Sequence, residues 1–323
     1  SDTVETHLAL GNLFRKRGEV DRAIRIHQNL AARPNLEHEQ RMDALLELAE
    51  DYMKAGLFDR AEGLFRELID NNVHLSSALP LLLDIYQQEK DWENAIGIAG
   101  QMGFVDEQSA RSVIAQFHCE LAENARAVDD IDAAIAHLDR AGSYNPHCAR
   151  ARLIRASIAR QQGDCRTALK ACEQVAGMDI DLLPEVLEPM RACHEELGTM
   201  PDMIAFLREV IPKYAGISPV LALADILRSE QGDESAAEFI AEELGRQPSV
   251  RGLARFIDLS LQGSNGTARE NLLILKNITD QLLENKPVYA CHNCGFTGKT
   301  LHWKCPGCRQ WNTIKPIHGV EAD

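Results

Sequence analysis

The stretch LGNLFRKRGEVDRAIRIHQNL, residues 10–30, joins an apolar helical segment to a second one across a Gly-Glu break. The same arrangement returns as LAEDYMKAGLFDRAEGLFREL at residues 48–68 and as RASIARQQGDCRTALKACEQV at residues 155–175. In each copy the apolar residues recur at helical spacing on both sides of the break, which predicts two consecutive helices. A unit that recurs along one chain is typical of a repeat protein, in which the copies stack on one another.

Seven positions carry the break between the two helices of a unit. Two weaker copies have Lys90 and Asp129 there, and five have glycine, which readily adopts the left-handed conformation that ends a helix. These glycines are Gly18, Gly56, Gly163, Gly198 and Gly232. Five residues after each break, a small residue would let the second helix pack closely on the first. The residues there are Ala23, Ala61, Ala95, Ala134, Ala168, Met203 (the departure) and Ala237, at intervals of 34 to 39 residues.

A period near 34 residues with this pattern resembles the tetratricopeptide repeat, in which each unit is an antiparallel helix pair. The sequence therefore predicts an all-α superhelix of about seven helix pairs over residues 1–248, because one pair cannot bury its apolar face alone. Prolines at Pro34, Pro146 and Pro248 fit the turns between pairs. Two further helices over residues 249–286 are expected to cap the last repeat.

The segment YACHNCGFTGKTLHWKCPGCRQW, residues 289–311, carries two CxxC pairs separated by ten residues. The four cysteines are Cys291, Cys294, Cys305 and Cys308. Four thiolates suit either a tetrahedral Zn²⁺ or a single iron. A glycine, Gly295 or Gly307, accompanies each pair, so backbone N–H groups can point at the sulfurs. Because about thirty residues cannot build an adequate core unaided, we expect one metal ion to hold a module at residues 287–318 together.

Aromatic residues alternate with these cysteines and are expected to form the small core of the module: Tyr289, Phe296, Trp303 and Trp311. The two turns, YACHNCGF and WKCPGC, resemble those of a rubredoxin, whose iron can cycle between two oxidation states. The spacing of only ten residues between the two pairs differs from that of rubredoxins and favours a shortened zinc-ribbon-like form. Zinc is the metal expected in the purified protein, and an iron-containing electron-transfer protein is the alternative.

Charge is distributed unevenly along the 323 residues, whose formal net charge is −15. That sign argues against a general nucleic-acid or anionic-membrane binder, because phosphate contacts need clustered Lys and Arg. Residues 287–320 contain no acid and four bases, Lys299, Lys304, Arg309 and Lys315. We therefore expect the basic module to fold back onto the acidic repeats, helped by opposite charge.

The first helix of each pair builds most of the concave face on which helical repeat arrays bind partners. Projecting the repeat register onto that face places seven charged residues there: Arg126, Arg150, Arg160, Glu185, Glu188, Glu195 and Glu196. A groove basic in its centre and acidic toward one end could select a peptide by charge. No nucleophile–base set or phosphate loop stands out, so the sequence predicts a scaffold without catalysis. The remaining cysteines fit small core residues with free thiols in a reducing compartment: Cys119, Cys148, Cys165, Cys172 and Cys193.

Repeats followed by this module are similar to the lipopolysaccharide assembly protein B (LapB) family over essentially the whole chain. The similarity is closest in LGNLFRKRGEVDRAIRIHQ and KCPGCRQWNTIKPIHG. The resemblance implies that the four cysteines are metal ligands and that the protein is an adaptor, not an enzyme. It further implies that the adaptor promotes degradation of the deacetylase LpxC by the membrane protease FtsH, and that a LapC-type membrane protein opposes this action.

The same resemblance implies one N-terminal transmembrane helix, which holds the soluble part at the cytoplasmic face of the inner membrane of Gram-negative bacteria. This chain opens on Ser1 and lacks that helix, so we expect the helix to precede it in the full protein. Two alternatives stay open: a redox protein that passes electrons through an iron site, and a zinc ribbon that binds nucleic acid. The acidic body disfavours the second.

Overall fold

The computed structural model describes residues 2–102, 107–284 and 286–319. Within those ranges, sixteen α-helices precede a small three-stranded sheet. The helices are α1 (Asp2–Lys16), α2 (Val20–Ala31), α3 (His38–Lys54), α4 (Phe58–Asp70), α5 (Leu75–Glu89), α6 (Trp92–Met102), α7 (Glu107–Ala127), α8 (Ile131–Tyr144), α9 (Ala149–Gln161), α10 (Cys165–Met178), α11 (Leu183–Leu197), α12 (Met200–Val210), α13 (Ser218–Gln231), α14 (Asp233–Arg246), α15 (Val250–Gly263) and α16 (Gly266–Glu284). None of these described helices has both the length and the apolar character needed to cross a bilayer.

Six of the predicted helix pairs pack as expected, namely α1 with α2, α3 with α4, α5 with α6, α9 with α10, α11 with α12 and α13 with α14, which confirms the all-α repeat architecture. The break residue has a positive φ at all seven predicted breaks: Gly18 (82°), Gly56 (75°), Lys90 (59°), Asp129 (61°), Gly163 (77°), Gly198 (69°) and Gly232 (95°). A left-handed residue turns the chain sharply enough for the second helix to run back along the first. Lys90 and Asp129 adopt this conformation despite the strain that a β-carbon adds there.

The small residue predicted five positions after each break is fully buried in the first six pairs, Met203 included. In the seventh pair the prediction is wrong, because Ala236 is fully buried whereas Ala237 is only partly buried. Gly232 has a ψ of 174°, outside the left-handed helical region, and α14 begins directly after it. Every earlier break leaves one residue before the second helix begins, so in α14 the buried position arrives one residue sooner.

Two compact units divide the chain, one formed by Ser1–Asn124 with Ser143–Asn145 and the other by Ala125–Gly142 with Pro146–Asp323. In the second unit a single core runs from α9 to α15. Its most deeply buried side chains include Val175, Leu183, Met190, Met203 and Leu207. The two predicted capping helices continue this stack, since α15 packs on α14 and α16 packs on α15.

A buried ion-pair cluster joins α1, α2 and α3 in the first unit. The fully buried Asp51 carboxylate has two partners: Nδ1 of His27 lies 2.6 Å from Oδ2, and Nη1 of Arg15 donates to Oδ1 at 2.9 Å. Nε2 of the same imidazole lies 3.2 Å from the carbonyl oxygen of Leu8, so the ring is held on both edges. Gly11 makes room for it, because a β-carbon at that position would lie 2.2 Å from Nε2 of His27.

We expect Gly11→Ala to lower the free energy of unfolding by about 1–3 kcal/mol, the usual cost of overpacking a core. The ring cannot retreat without breaking its bonds to Asp51 and Leu8. Gly63→Ala in α4 is the matched control, since a β-carbon there meets nothing within 4 Å. It should be neutral or gain up to about 1 kcal/mol from helix propensity. Urea unfolding followed by far-ultraviolet circular dichroism compares the two, and equal midpoints would contradict the prediction.

Candidate metal centre and its docking surface

The module at the end of the chain is a small antiparallel sheet that carries two cysteine turns. Its strands are β1 (Tyr289–Cys291), β2 (Thr297–Gly298) and β3 (Ile314–Pro316), in the order β2-β1-β3. The first turn follows β1, which ends on Cys291 and pairs that residue with Ile314 of β3. The second turn is closed by a backbone bridge between Lys304 and Trp311. The sheet brings the two turns together, so the cysteines of one turn meet those of the other.

The four cysteines converge on one point. Their Sγ atoms all lie within 4.8 Å of one another. The Sγ atoms of Cys291 and Cys308 are 3.7 Å apart, and those of Cys294 and Cys305 are 3.6 Å apart. Metal–sulfur bonds of about 2.3 Å in a regular tetrahedron would place the sulfurs about 3.8 Å apart. The four-cysteine set therefore fits a single Zn²⁺ or iron ion, with all four coordination positions supplied by the protein.

Backbone conformation shapes the two cysteine turns differently. The first turn uses Gly295 at a left-handed φ of 76°, whereas the second uses Arg309 at 60° in the equivalent place. In both turns the N–H of this residue donates, at 2.9 Å, to the carbonyl of the first cysteine of the pair. Gly307 has a separate purpose, because a β-carbon there would lie 3.2 Å from Sγ of Cys294. The two glycines singled out from the sequence thus serve different ends: one supplies a conformation, and the other permits close approach to a sulfur.

Hydrogen bonds to sulfur shift the thiol pKa values in opposite directions. Burial alone would raise the pKa of Cys291, but hydrogen bonds from Thr313, whose Oγ1 lies 3.2 Å from the sulfur, and from two backbone N–H groups lower it to about 6. The backbone N–H of Phe296 favours the thiolate of Cys294, yet burial and the neighbouring thiols raise its pKa to about 11. A thiol with a raised pKa resists deprotonation, so a bound cation is needed before all four cysteines become thiolates.

Charged contacts fasten the module to the turn between α10 and α11. Lys315 of β3 forms an ion pair with Asp179, and Nε2 of His318 lies 3.2 Å from Oδ1 of Asp181. The ring of His318 also meets the ring of Tyr214 edge to face, with 5.1 Å between their centres. These contacts confirm that the basic tail folds back onto acidic residues of the repeats.

Both tryptophans of the module face the repeats. The guanidinium carbon of Arg150, in the first turn of α9, lies 5.9 Å from the ring centres of Trp303 and Trp311, and Trp303 packs against the repeat core. Tyr289 and Phe296 do pack inside the module, around its buried cysteines. The predicted four-membered aromatic core is therefore wrong for the tryptophans. The repeats offer Trp303 an apolar surface and both rings the Arg150 guanidinium, and Nζ of Lys304 within the module lies 5.6 Å from the centre of the Trp311 ring.

Three of the seven predicted partner-binding residues contact the module or a buried thiol. Arg150 is only 7% exposed beneath the tryptophans. Glu185 accepts a hydrogen bond from the hydroxyl of Tyr289, and Oε2 of Glu196 lies 3.3 Å from Sγ of Cys165. The first two thus contribute to docking of the module.

The other four predicted residues lie on α7, α9 and α11. Arg126 is half-buried in the last turn of α7. Arg160 of α9 donates to Glu188 of α11 at 2.9 Å, and Arg191, which the sequence did not single out, donates to Glu195 at 3.0 Å. The charges from Arg160 to Glu195 are exposed, so these ion pairs contribute little to stability.

A cleft of about 500 Å³ opens between the module and the first helices of the later repeats. Its apolar lining includes Leu187, Leu221 and Val288, and its charged lining includes both Glu188 and Arg191. A volume of this size is in the usual range for ligand pockets. The module therefore completes a concave surface to which the repeats contribute the larger part.

Sequence reasoning missed the docking acceptors Asp179 and Asp181 and their partner His318. The two aspartates occupy the turn sequence MDIDLLP, where acidic residues are ordinary. The residues of the Lys315–Asp179 pair are 136 positions apart. Only the opposite charge of tail and body indicated the docking, and that signal does not identify individual residues.

We expect Gly307→Ala to weaken zinc binding by about 10- to 100-fold, the usual effect of disturbing the groups that orient metal ligands. The added methyl would press on Sγ of Cys294 at 3.2 Å and displace one corner of the tetrahedron. Gly298→Ala is the matched control, because its β-carbon would make ordinary contacts at 3.5 Å or more. Competition with a chromophoric chelator measures both affinities. Equal affinities would mean that the second turn yields without moving the sulfur.

We expect Lys315→Asp to loosen docking without removing the metal, because the substitution puts two carboxylates face to face at Asp179. Breaking this partly buried pair should cost about 1–3 kcal/mol. Amide hydrogen exchange would rise in the first turns of α9 and α11, which the module covers. The double variant Asp179→Lys with Lys315→Asp restores opposite charges and should restore protection. If single and double variants exchanged alike, the ion pair would not hold the module in place.

Sequence profiles of known families match both parts of the chain. The profile described as rubredoxin metal binding domain matches residues 289–316, and tetratricopeptide repeat profiles match residues 6–40 and 119–181. Among solved structures, a tetratricopeptide repeat protein from Parabacteroides merdae is 13% identical at a TM-score of 0.37, covering 86% of this chain and 100% of its own. The tetratricopeptide repeat protein YrrB is 15% identical at 0.35, covering 54% and 86%.

Two curated relatives extend over nearly the whole chain. Lipopolysaccharide assembly protein B of Escherichia coli strain K12 is 39% identical over 321 residues, which are 99% of this chain and 82% of the relative. Lipopolysaccharide assembly protein B of Haemophilus influenzae is 35% identical over 318 residues, 98% of this chain and 80% of the relative. Identity at this level, through both the repeats and the four-cysteine module, shows that the chain belongs to the lipopolysaccharide assembly protein B family.

Proposed function

We propose that this protein is an adaptor that regulates lipopolysaccharide synthesis by delivering the deacetylase LpxC to the protease FtsH for degradation. The observation that carries the proposal is the 39% identity over 99% of the chain to a protein named for lipopolysaccharide assembly. A repeat array supports an adaptor role, because it offers a long surface to protein partners. The four-cysteine site supports it too, because a metal with four protein ligands has no open position for a substrate.

In this proposal the protein works at the cytoplasmic face of the inner membrane, held there by one transmembrane helix N-terminal to this chain. The anchor would keep the repeats close to FtsH, a membrane protease, and so raise the effective concentration of one partner for the other. A LapC-type membrane protein would oppose the adaptor. The acidic body, at a net charge of −15, supports protein partners over nucleic acid.

The partner surface that we propose combines the exposed charges of α9 and α11 with the cleft beside the module. Arg160, Glu188 and Glu195 would meet the partner directly, together with Arg126 and Glu196 at the margins. Arg150 and Glu185 would act through the module, since both hold it in place. Metal binding then matters for adaptor function without any metal chemistry, because it shapes one wall of the surface.

We propose zinc as the metal and folding of the module as its purpose. A structural zinc site contributes about 10–16 kcal/mol of apparent binding free energy in small peptides, enough to fold a module of this size. Both tryptophans that would otherwise enlarge the module's own core are turned outward to the repeats, which leaves the module more dependent on its metal.

The half-life of LpxC tests the adaptor proposal. In cells that carry the full-length gene, LpxC should turn over rapidly, and depletion of the protein should lengthen its half-life several-fold. Cys305→Ser removes a buried ligand and should leave LpxC as stable as depletion does. Cys172→Ala is the control, because it removes an equally buried thiol outside the metal site and should keep turnover fast.

Two results would contradict different parts of the proposal. Unchanged LpxC turnover after depletion would refute delivery to FtsH. Fast turnover with Cys305→Ser, despite metal loss confirmed by elemental analysis, would be consistent with the adaptor role. It would show that the partner surface does not need the module that the metal holds together.

A further inference from the structure

The four cysteines of the metal centre are not equally covered by the protein. Cys291 and Cys305, the first cysteines of the two turns, are 3% and 1% exposed. Cys308 is half-buried and packs against the core of the module. Cys294, the second cysteine of the first turn, is exposed to solvent. A reagent dissolved in water therefore reaches the ligand set most directly at Cys294.

Two glycines leave the sulfur of Cys294 uncovered. Gly295 follows it in the first turn, and Gly307 of the second turn approaches so closely that a β-carbon there would lie 3.2 Å from Sγ. Both glycines are exposed, and neither has a side chain that could fold over the sulfur. In the second turn Arg309 takes the place of Gly295 and follows Cys308. The difference in exposure between the two turns thus has a cause in the sequence.

Five further thiols lie in the repeats, and all of them are buried: Cys119, Cys148, Cys165, Cys172 and Cys193. A hydrogen bond with Cys193, together with burial, raises the pKa of Cys165 to about 12, and burial raises the pKa of Cys172 to about 11. These two thiols stay protonated at neutral pH. Oxidation requires a thiolate that the oxidant can reach, and a metal ligand is a thiolate at any pH at which the metal is bound. Cys294 meets both conditions.

We propose that Cys294 is a modification site at which a peroxide opens the metal centre. The thiolate of Cys294 attacks one peroxide oxygen, so that an S–O bond forms, the O–O bond breaks and hydroxide leaves. The thiolate of Cys305, whose Sγ lies 3.6 Å from that of Cys294, then attacks the sulfenic acid. An S–S bond forms and a second hydroxide leaves. The two sulfurs lose two electrons in all, one peroxide is reduced, and solvent protonates both hydroxides to water.

A disulfide between Cys294 and Cys305 removes one ligand from each turn. The two remaining cysteines cannot complete the four-ligand set of a structural zinc site, so the module loses the metal on which its fold depends. The turns then no longer hold Trp303 and Trp311 over Arg150. Oxidation at one exposed sulfur would therefore release the module from the repeats. This inference does not depend on which protein the repeats bind.

Hydrogen peroxide added to the zinc-loaded chain tests the proposal. A chromophoric chelator follows zinc release, dimedone traps sulfenic acid, and peptide mass spectrometry identifies the oxidised cysteines. The first sulfenic acid should appear at Cys294, and zinc release should accompany the disulfide with Cys305. Amide hydrogen exchange should rise at the same time in the first turns of α9 and α11. The five thiols of the repeats serve as an internal reference and should stay reduced.

Two matched variants separate the exposed ligand from its equivalent in the second turn. Cys294→His and Cys308→His each keep four ligands, because three cysteines and one histidine form a common zinc site. Cys294→His should slow peroxide-driven zinc release several-fold, since it removes the exposed thiolate. Cys308→His keeps Cys294 and should release zinc as fast as the unmodified chain. Elemental analysis confirms zinc loading before oxidation, and the order of oxidation in the unmodified chain decides if a variant does not load.

Three results would overturn the proposal. First oxidation at Cys308 or at a buried ligand would show that exposure does not select the reacting sulfur. Equal rates of zinc release from the unmodified chain and from Cys294→His would show that another sulfur opens the site. Oxidised Cys294 in a chain that keeps its zinc would show that modification there does not open the metal centre.

Discussion

No helix pair in this chain can bury its apolar face without a neighbour, and the rest of the architecture follows from that constraint. Each pair has a residue of positive φ between its helices and a fully buried side chain early in its second helix, and then depends on the next pair for cover. The stack therefore extends until something different ends it. Here the end consists of α15 and α16, followed by a module whose own fold depends on a metal.

The metal and the repeats are coupled through a short series of contacts. Sulfur–metal bonds would fix the two cysteine turns, and the turns position Trp303 and Trp311 over Arg150. Arg150 lies in the first turn of α9, so the rigidity of the two cysteine turns reaches the repeat helices in part through this guanidinium. Because the guanidinium is buried, losing the rings would leave a cation with reduced solvation and no aromatic faces to offset it. Bound metal would therefore stabilise helices of the repeats as well as the thirty residues of the module.

The sequence predicted the parts of this structure that depend on local chemistry. All seven break positions, including Lys90 and Asp129, could be predicted from spacing, because reversing the chain between two helices favours a residue of positive φ. The convergence of the four cysteines was equally predictable, since few other arrangements explain two CxxC pairs. The shift from Ala237 to Ala236 was not predictable, because it depends on the ψ of Gly232, which its residue type does not determine. The outward orientation of the tryptophans depended on a surface assembled from distant residues, and pattern reasoning has no access to such surfaces.

The docking contacts join residues that are far apart in the sequence, so the order of synthesis limits when they can form. Pairs within the repeats are close in sequence, so they can form as the chain emerges from the ribosome. Lys315 and Asp179, in contrast, are 136 residues apart, and Tyr289 and Glu185 are 104 apart. The module follows the repeats in the sequence, so the helices on which it docks are synthesised before it. A chain terminated before residue 287 would keep all sixteen described helices and lack every one of these contacts, so the docking of the module on the repeats depends on synthesis of the residues beyond them.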